Sequence, residues 1–209
     1  MSDWLKPPGP VATGLRIGLL GGSFNPAHQG HLHVSEVALK RLGLDYVWWL
    51  VTPQNPLKSH AGLAPLPDRM RQARGVAKHP RIVVMDIERT LGTRYSIDTL
   101  TALQRRFREI EFVWLMGSDN LAIFRRWRCW EEIVRRVPIA VVQRPGSVLA
   151  ALSAKPMQRF ARARATPGRR LPKPPAIVIL DGHRNPLSST ALRRATLEQE
   201  AVVHAIPPC

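Results

Sequence analysis

Gly21-Gly22-Ser23-Phe24-Asn25-Pro26-Ala27-His28-Gln29-Gly30-His31 follows directly on the apolar run Leu15-Arg16-Ile17-Gly18-Leu19-Leu20, and this junction decides the fold. The run reads as a short buried strand. The glycine pair behind it lets the backbone turn sharply and approach a ligand with no Cβ in the way. A helix then starts near Gln29, because Leu32, Val34, Val37, Ala38 and Leu42 recur at helical spacing and form one apolar face. His28 and His31 fall around its first turn, where unpaired backbone N–H groups and the positive helix end favour an anion. Two imidazoles three residues apart share one side of such a turn, so both can donate to neighbouring phosphate oxygens. Gly30 between them leaves room for the phosphates. The stretch therefore reads as a nucleotide-phosphate site. A zinc site is the other use of two such histidines, but no further Cys, His or carboxylate follows at ligand spacing nearby, so no metal site built from protein ligands is expected.

Outward from this junction, β and α patterns alternate. Strands are expected over residues 45–51, 81–85, 111–116, 138–142 and 176–180, each short and rich in β-branched or aromatic residues. Helices are expected over 67–78, 96–108 and 119–136, with a helix or frayed helix over 148–165 interrupted at Pro156 and a last one beginning at Ser188 or Ser189. The stretch 53–65 is punctuated by prolines and Gly62, which mark a long loop, either mobile or facing a ligand. This order predicts a single α/β domain, a doubly wound, Rossmann-like, mostly parallel sheet with helices on both faces and its ligand at the carboxyl ends of the strands. Residues 1–13 read as a loose N-terminal extension and 14–209 as the domain.

The chain has 209 residues, a formal net charge of +16 and two cysteines, Cys129 and Cys209. Two cysteines cannot form a disulfide framework, which fits a reducing cytoplasm. No apolar stretch is long enough to span a bilayer and the first residues lack the apolar core of a signal peptide, so no membrane partner is expected. The basic excess gathers late: residues 133–180 contain no Asp or Glu, while Lys155, Arg159, Arg162, Arg164, Arg169, Arg170 and Lys173 cluster. Three uses are open: a solvated basic loop, steering of polyphosphate substrates, and nucleic-acid binding. Few aromatics are interleaved to stack bases, which places nucleic acid last.

Further candidates lie at expected strand ends and helix starts. Ser188-Ser189-Thr190 open the last expected helix, offering hydroxyls and backbone N–H groups to an anion, with Arg193 one turn in. Gly117-Ser118-Asp119-Asn120 ends the strand over 111–116: the glycine permits a base to lie against the backbone, and Asp119 either accepts ribose or base hydrogen bonds or caps the next helix. Phe124, Trp127 and Trp130 have the spacing of a core stripe. Lys58, in Asn55-Pro56-Leu57-Lys58, is either a point charge for phosphate or a solvated lysine. Arg69 and Met70 carry no readable signal.

With these residues in view, the chain resembles the His-x-Gly-His nucleotidylyltransferase superfamily and, within it, the bacterial nicotinate-nucleotide adenylyltransferases. The resemblance rests on Gly21 to His31 and on Leu187-Ser188-Ser189-Thr190-Ala191-Leu192-Arg193, spans about residues 14–196, and is loose elsewhere. It implies adenylyl transfer from ATP to nicotinate mononucleotide, with Mg²⁺ held mainly by ATP phosphates and pyrophosphate as leaving group. It implies His28, His31 and Arg193 as catalytic residues. For ATP it implies Gly21, Gly22, Ser23, Phe24, Gly30, Gly117, Asp119, Ser188, Ser189 and Thr190. For the acceptor it implies Asn55, Lys58, Tyr95 and Ser96, with Trp127 stacking on the pyridine ring and Arg144 facing an anionic group. Asp98 would support its loop. Three departures stand out: Asn25 where many relatives carry Asp, a poorly matching basic segment after Gly146, and a short tail from Thr196. Neighbouring alternatives are nicotinamide mononucleotide or phosphopantetheine as acceptor and, outside the class, a non-catalytic basic nucleic-acid-binding protein. Monomer and homodimer are both compatible with the sequence.

Overall fold

The computed structural model describes residues 9–53, 62–144 and 152–182. Its strands are β1 (Arg16–Gly22), β2 (Tyr46–Val51), β3 (Ile82–Met85), β4 (Glu111–Gly117), β5 (Ile139–Val142), β6 (Arg164–Ala165) and β7 (Ile177–Leu180). They form one sheet in the order β3-β2-β1-β4-β5-β7-β6. All the pairings are parallel, so the expected mostly parallel sheet is wholly so among the described residues. Strands covered on both faces need apolar side chains on both, which is why β2 reads Tyr-Val-Trp-Trp-Leu-Val without polar alternation.

The period of two along each strand divides the core into two layers. Ile17, Leu19, Trp48, Leu50, Phe112 and Trp114 face one side, where they meet α3 (Ile87–Leu91), α4 (Ser96–Arg106), α5 (Ser118–Ile123), α6 (Trp130–Arg136) and α7 (Lys155–Arg159). Leu20, Val47, Trp49, Val51, Val113 and Leu115 face the other, against α1 (Gln29–Leu42) and α2 (Leu66–Val76). Helix α1 starts at the expected Gln29 and buries Val34, Ala38 and Leu42 of its expected stripe, together with Ser35 and Leu39. It ends at Gly43, whose φ of 61° is the left-handed geometry glycine adopts without a Cβ penalty.

The chain order reverses between β1 and β4, and there the strands part. Their paired register ends at Leu20 and Leu115. Beyond it Gly21 and Gly22 stay with β2, opposite Leu50 and Val51, while Met116 and Gly117 stay with β5, opposite Val141 and Val142. A crevice opens at the carboxyl end of the sheet, where a doubly wound fold binds its ligand.

Several local expectations are corrected. Gly21 and Gly22 do not make the turn; they finish β1. A Cβ on Gly21 would lie 3.1 Å from the Trp114 ring, a tight contact in which the ring would have to give way slightly. The turn falls instead on Phe24, at φ 46°, a conformation uncommon for an aromatic residue and held here by full burial of the ring. The helix expected over 119–136 is broken: α5 runs into a 3-10 turn, Phe124–Arg126, and Cys129 at φ 49° precedes α6. Pro156 lies in the first turn of α7, as its fixed φ and missing N–H allow, just after a break at Ser153–Ala154; residues 148–151 of the expected helix lie outside the described residues. The five-residue α3 and two-residue β6 are too short to show a period. Of the expected extension, residues 9–13 are described, and Val11 packs on the core. No helix among the described residues is long and apolar enough to cross a membrane.

Candidate active site

His28 is the N-cap of α1 and is 5% exposed. Its Nδ1 accepts the Gly30 N–H at 3.1 Å, and the Nδ1 of His31 accepts the His28 N–H at 3.2 Å. The two imidazoles thus form a reciprocal capping box, the role usually taken by Ser or Thr with Glu. With Nδ1 occupied as an acceptor in each ring, the proton of the neutral form resides on Nε2, and each ring offers an Nε2–H donor. Burial lowers the His28 pKa from 6.5 to about 4, with a further lowering from the Arg144 charge and an opposing contribution from Asp119. At neutral pH His28 is therefore an uncharged donor.

The surroundings fix both rings. Their centroids are 3.9 Å apart, and His31 lies 4.6 Å from Phe24, which in turn stacks on Trp49 at 5.0 Å. Trp49 Nε1 donates to Ser35 Oγ at 2.8 Å and that hydroxyl donates to the His31 carbonyl at 2.9 Å, tying the first turn of α1 to β2. Ser23 is buried, and its Oγ has no hydrogen-bond partner among the described residues.

Across the crevice, β4 delivers Gly117, Ser118 and Asp119. A Cβ on Gly117 would meet the ends of the Asp119 and Arg144 side chains, which would have to swing aside. Ser118 Oγ accepts the Arg144 N–H at 2.8 Å, and Arg144 Nη1 lies 3.4 Å from Asp119 Oδ2. Arg144, expected from the resemblance to face the acceptor, thus stands with Asp119 and within electrostatic reach of His28.

On the opposite layer, Tyr95 is the N-cap of α4 and Ser96 its first residue. Trp127 leaves the 3-10 turn in extended conformation, partly exposed, and makes edge contacts with Phe124 (centroids 5.2 Å, 74°) and Trp114 (5.9 Å, 90°). Phe124 is fully buried and Trp130 packs against it and Phe160, as their core reading requires. Arg128, next to Trp127, reaches back to α4: its guanidinium stands 4.7 Å from the Tyr95 ring centroid and 3.6 Å from Asp98. The structure thereby joins the Trp127 segment to the Tyr95–Ser96 helix start. Asn55, Lys58, Ser188, Ser189, Thr190 and Arg193 lie outside the described residues.

The cytidylyltransferase-like family model matches residues 19–195. Over 183 residues the chain is 55% identical to the probable nicotinate-nucleotide adenylyltransferase of Methylorubrum extorquens (strain PA1), covering 86% of this chain and 99% of that relative. The chain belongs to the nicotinate-nucleotide adenylyltransferase family. A second relative in that family, the probable nicotinate-nucleotide adenylyltransferase of Parvibaculum lavamentivorans, is 54% identical over 187 residues, covering 88% of this chain and 93% of its own. The fold is shared with the nicotinic acid mononucleotide adenylyltransferase of Plasmodium falciparum solved in complex with NaAD, at a TM-score of 0.67 and 16% identity over 86% of this chain and 83% of that one.

Two residues of this family member carry site geometry that the sequence did not disclose. Arg69 of α2 is 1% exposed and donates only to backbone carbonyls. Glu88 of α3 is 5% exposed and is bonded by Thr99 Oγ1 at 3.4 Å, behind the Tyr95 turn. Burial raises the Glu88 pKa, and hydrogen bonds from Thr52 and Thr99 temper the rise. Each sits on a short helix among other charged residues, so neither pattern set it apart as buried.

Proposed function

We propose that this protein transfers the adenylyl group of ATP to nicotinate mononucleotide, giving nicotinate adenine dinucleotide and pyrophosphate, a step of NAD biosynthesis in the cytoplasm. The acceptor's own 5′-phosphate oxygen attacks the α-phosphorus in line. A new P–O bond forms as the bond to the β-phosphate bridging oxygen breaks, and the electron pair leaves with pyrophosphate. No protein nucleophile is required, so the side chains contribute position and charge stabilisation. The observation that carries this reading is the imidazole capping box at the crevice mouth, whose two Nε2–H donors are held in place before any ligand arrives. His28 and His31 bind the reacting and bridging phosphate oxygens. Ser23, whose buried hydroxyl has no partner among the described residues, and the backbone after Gly22 assist them.

Gly117 leaves room for adenosine against β4, and Asp119 accepts from it. Arg193, with Ser188, Ser189 and Thr190, holds the β- and γ-phosphates. Arg144 faces an anionic group of the acceptor. Trp127 stacks on the pyridine ring, while the α4 start at Tyr95–Ser96 receives the nicotinate carboxylate, and Asn55 and Lys58 approach the acceptor phosphate. Mg²⁺ bound mainly through the ATP phosphates would neutralise charge on the leaving pyrophosphate.

The test is pyrophosphate release from ATP and Mg²⁺ with each of three acceptors: nicotinate mononucleotide, nicotinamide mononucleotide and phosphopantetheine. Release is expected with the nicotinate form foremost. Release with phosphopantetheine alone would overturn the assignment.

A further inference from the structure

Trp48, Trp49 and Trp114 are all buried in the sheet. Among the described residues the indole N–H of Trp49 has a partner, whereas those of Trp48 and Trp114, on the other layer, have none. Trp49 sits on a central strand, in register with Leu20 of β1 and Val84 of β3, and packs toward α1. Its Nε1 donates to the Oγ of the fully buried Ser35 at 2.8 Å. An indole N–H can only donate, so Ser35 must accept, and its own proton goes to the His31 carbonyl at 2.9 Å. The direction of both bonds is thereby set. A serine bonding four residues back is common in helices and gains little by itself. Here the bond from Trp49 ties that hydroxyl to the middle of the sheet.

The same indole reaches His31 by a second route. Phe24 stacks on Trp49 at 5.0 Å with 21° between the planes, and His31 lies 4.6 Å from Phe24 and 5.9 Å from Trp49. The main chain of His31 is thus tied through Ser35 and its ring is packed through Phe24. The first turn of a helix has no preceding carbonyls for its N–H groups, and helix ends fray. The His31 imidazole closes the capping box at this point, so fraying would displace its Nε2–H. We propose that Ser35 and Trp49 are positioning residues for the reaction, holding the first turn of α1 so that the His31 Nε2–H stays aimed at the reacting phosphate oxygens. Both act through His31. The proposal rests on the assignment of His31 to those oxygens.

Ser35→Ala deletes the link between strand and turn while leaving both imidazoles and the Phe24 stack in place. Turnover should fall about tenfold, the size of one net hydrogen bond and below the roughly 100-fold cost of a 1 Å misplacement. Trp49→Phe keeps a flat ring beneath Phe24 and the bond from Ser35 to His31, so its loss should be smaller, on the order of threefold. His31→Ala removes the ring that the two residues position. In that background Ser35→Ala should cost less than about twofold, because no imidazole remains to be aimed. A serine that merely stabilises α1 would cost the same factor in both backgrounds.

This double-mutant cycle decides the matter, read as kcat for pyrophosphate release with whichever acceptor the wild type uses, well below each variant's thermal midpoint. Loss of turnover in Ser35→Ala that disappears once His31 is alanine supports the proposal. Equal losses in the two backgrounds would overturn it, and so would wild-type turnover in folded Ser35→Ala. Should Ser35→Ala fail to fold, Trp49→Phe passes through the same cycle with the same two outcomes. Normal turnover in His31→Ala alone would overturn the assignment of His31 itself, and the positioning role with it, whereas a large loss there beside a silent Ser35→Ala would overturn the positioning role only.

Discussion

The two sides of the crevice are held by different kinds of contact. On the phosphate side, His28, His31, Asn25 and Arg69 are each fixed by hydrogen bonds to backbone, with two of the four buried below one-tenth exposure. On the acceptor side, Trp127 rests on aromatic edges, and the Arg128–Asp98 pair that joins its segment to α4 is long and exposed. Backbone-anchored donors cannot reorganise at low cost, which suits a place where charge shifts during reaction. Aromatic edges and an exposed ion pair yield more readily, which suits recognition of a flat ring. Turnover and acceptor affinity should therefore be separable by mutation.

The largest effect is expected from His31→Ala, which removes one Nε2–H donor and one half of the capping box. Turnover should fall about 10²- to 10³-fold, the scale of a donor aimed at developing charge, with only a small rise in ATP KM. Steady-state pyrophosphate release checks it. If kcat is preserved and ATP KM carries the loss, His31 is a ground-state ligand, and the contrast between the two sides collapses.

How far these sides could be read from sequence differs for physical reasons. Helix α1 was legible because one buried face imposes a period over fourteen residues, and the spacing of His28 and His31 then placed both rings on its first turn. The glycine pair reads as a turn from sequence but finishes β1. Gly21 packs closely on Trp114, distant in the chain, and Phe24 takes the positive φ with no residue signal to announce it. The stripe Phe124, Trp127, Trp130 matches helical spacing, yet two short elements with a break between them satisfy the same intervals, and packing against Trp114 selects the break. Arg69 stands between Asp68 and Arg71 on a polar-looking helix and becomes buried only because three chain ends converge on it. Glu88 is hidden where Thr52 and Thr99, from separate segments, meet it. Local pattern reports on local period; these roles arise from distant contacts.

A second prediction sharpens the contrast from the acceptor side. Trp127→Ala should raise the acceptor KM about tenfold, the scale of a lost aromatic stack, and leave ATP KM nearly unchanged. Trp127→Phe should restore part of the affinity, since a smaller π face remains. A rise confined to ATP KM would move Trp127 to the adenosine side.

The smallest effect separates the two sides by the sign of their pH dependence. His28 has its pKa lowered to about 4, so the unfolded chain takes up its proton first. Its contribution to stability is complete above about 6.5 and is lost as pH falls through about 4. Glu88, behind the acceptor side, has its pKa raised, so its contribution is complete below its ordinary value and is lost as pH rises through the raised one. The two slopes oppose each other in the acid range. His28→Asn keeps an acceptor for the Gly30 N–H and removes the titration, so its Tm should fall less steeply than wild type between pH 6.5 and 4. Glu88→Gln removes the opposing slope, so its Tm should fall more steeply. Differences on the order of 5 °C across the window are within reach of thermal denaturation. Parallel curves for wild type and His28→Asn would mean that His28 is not held neutral by burial, and the donor role derived from its tautomer would lose its basis.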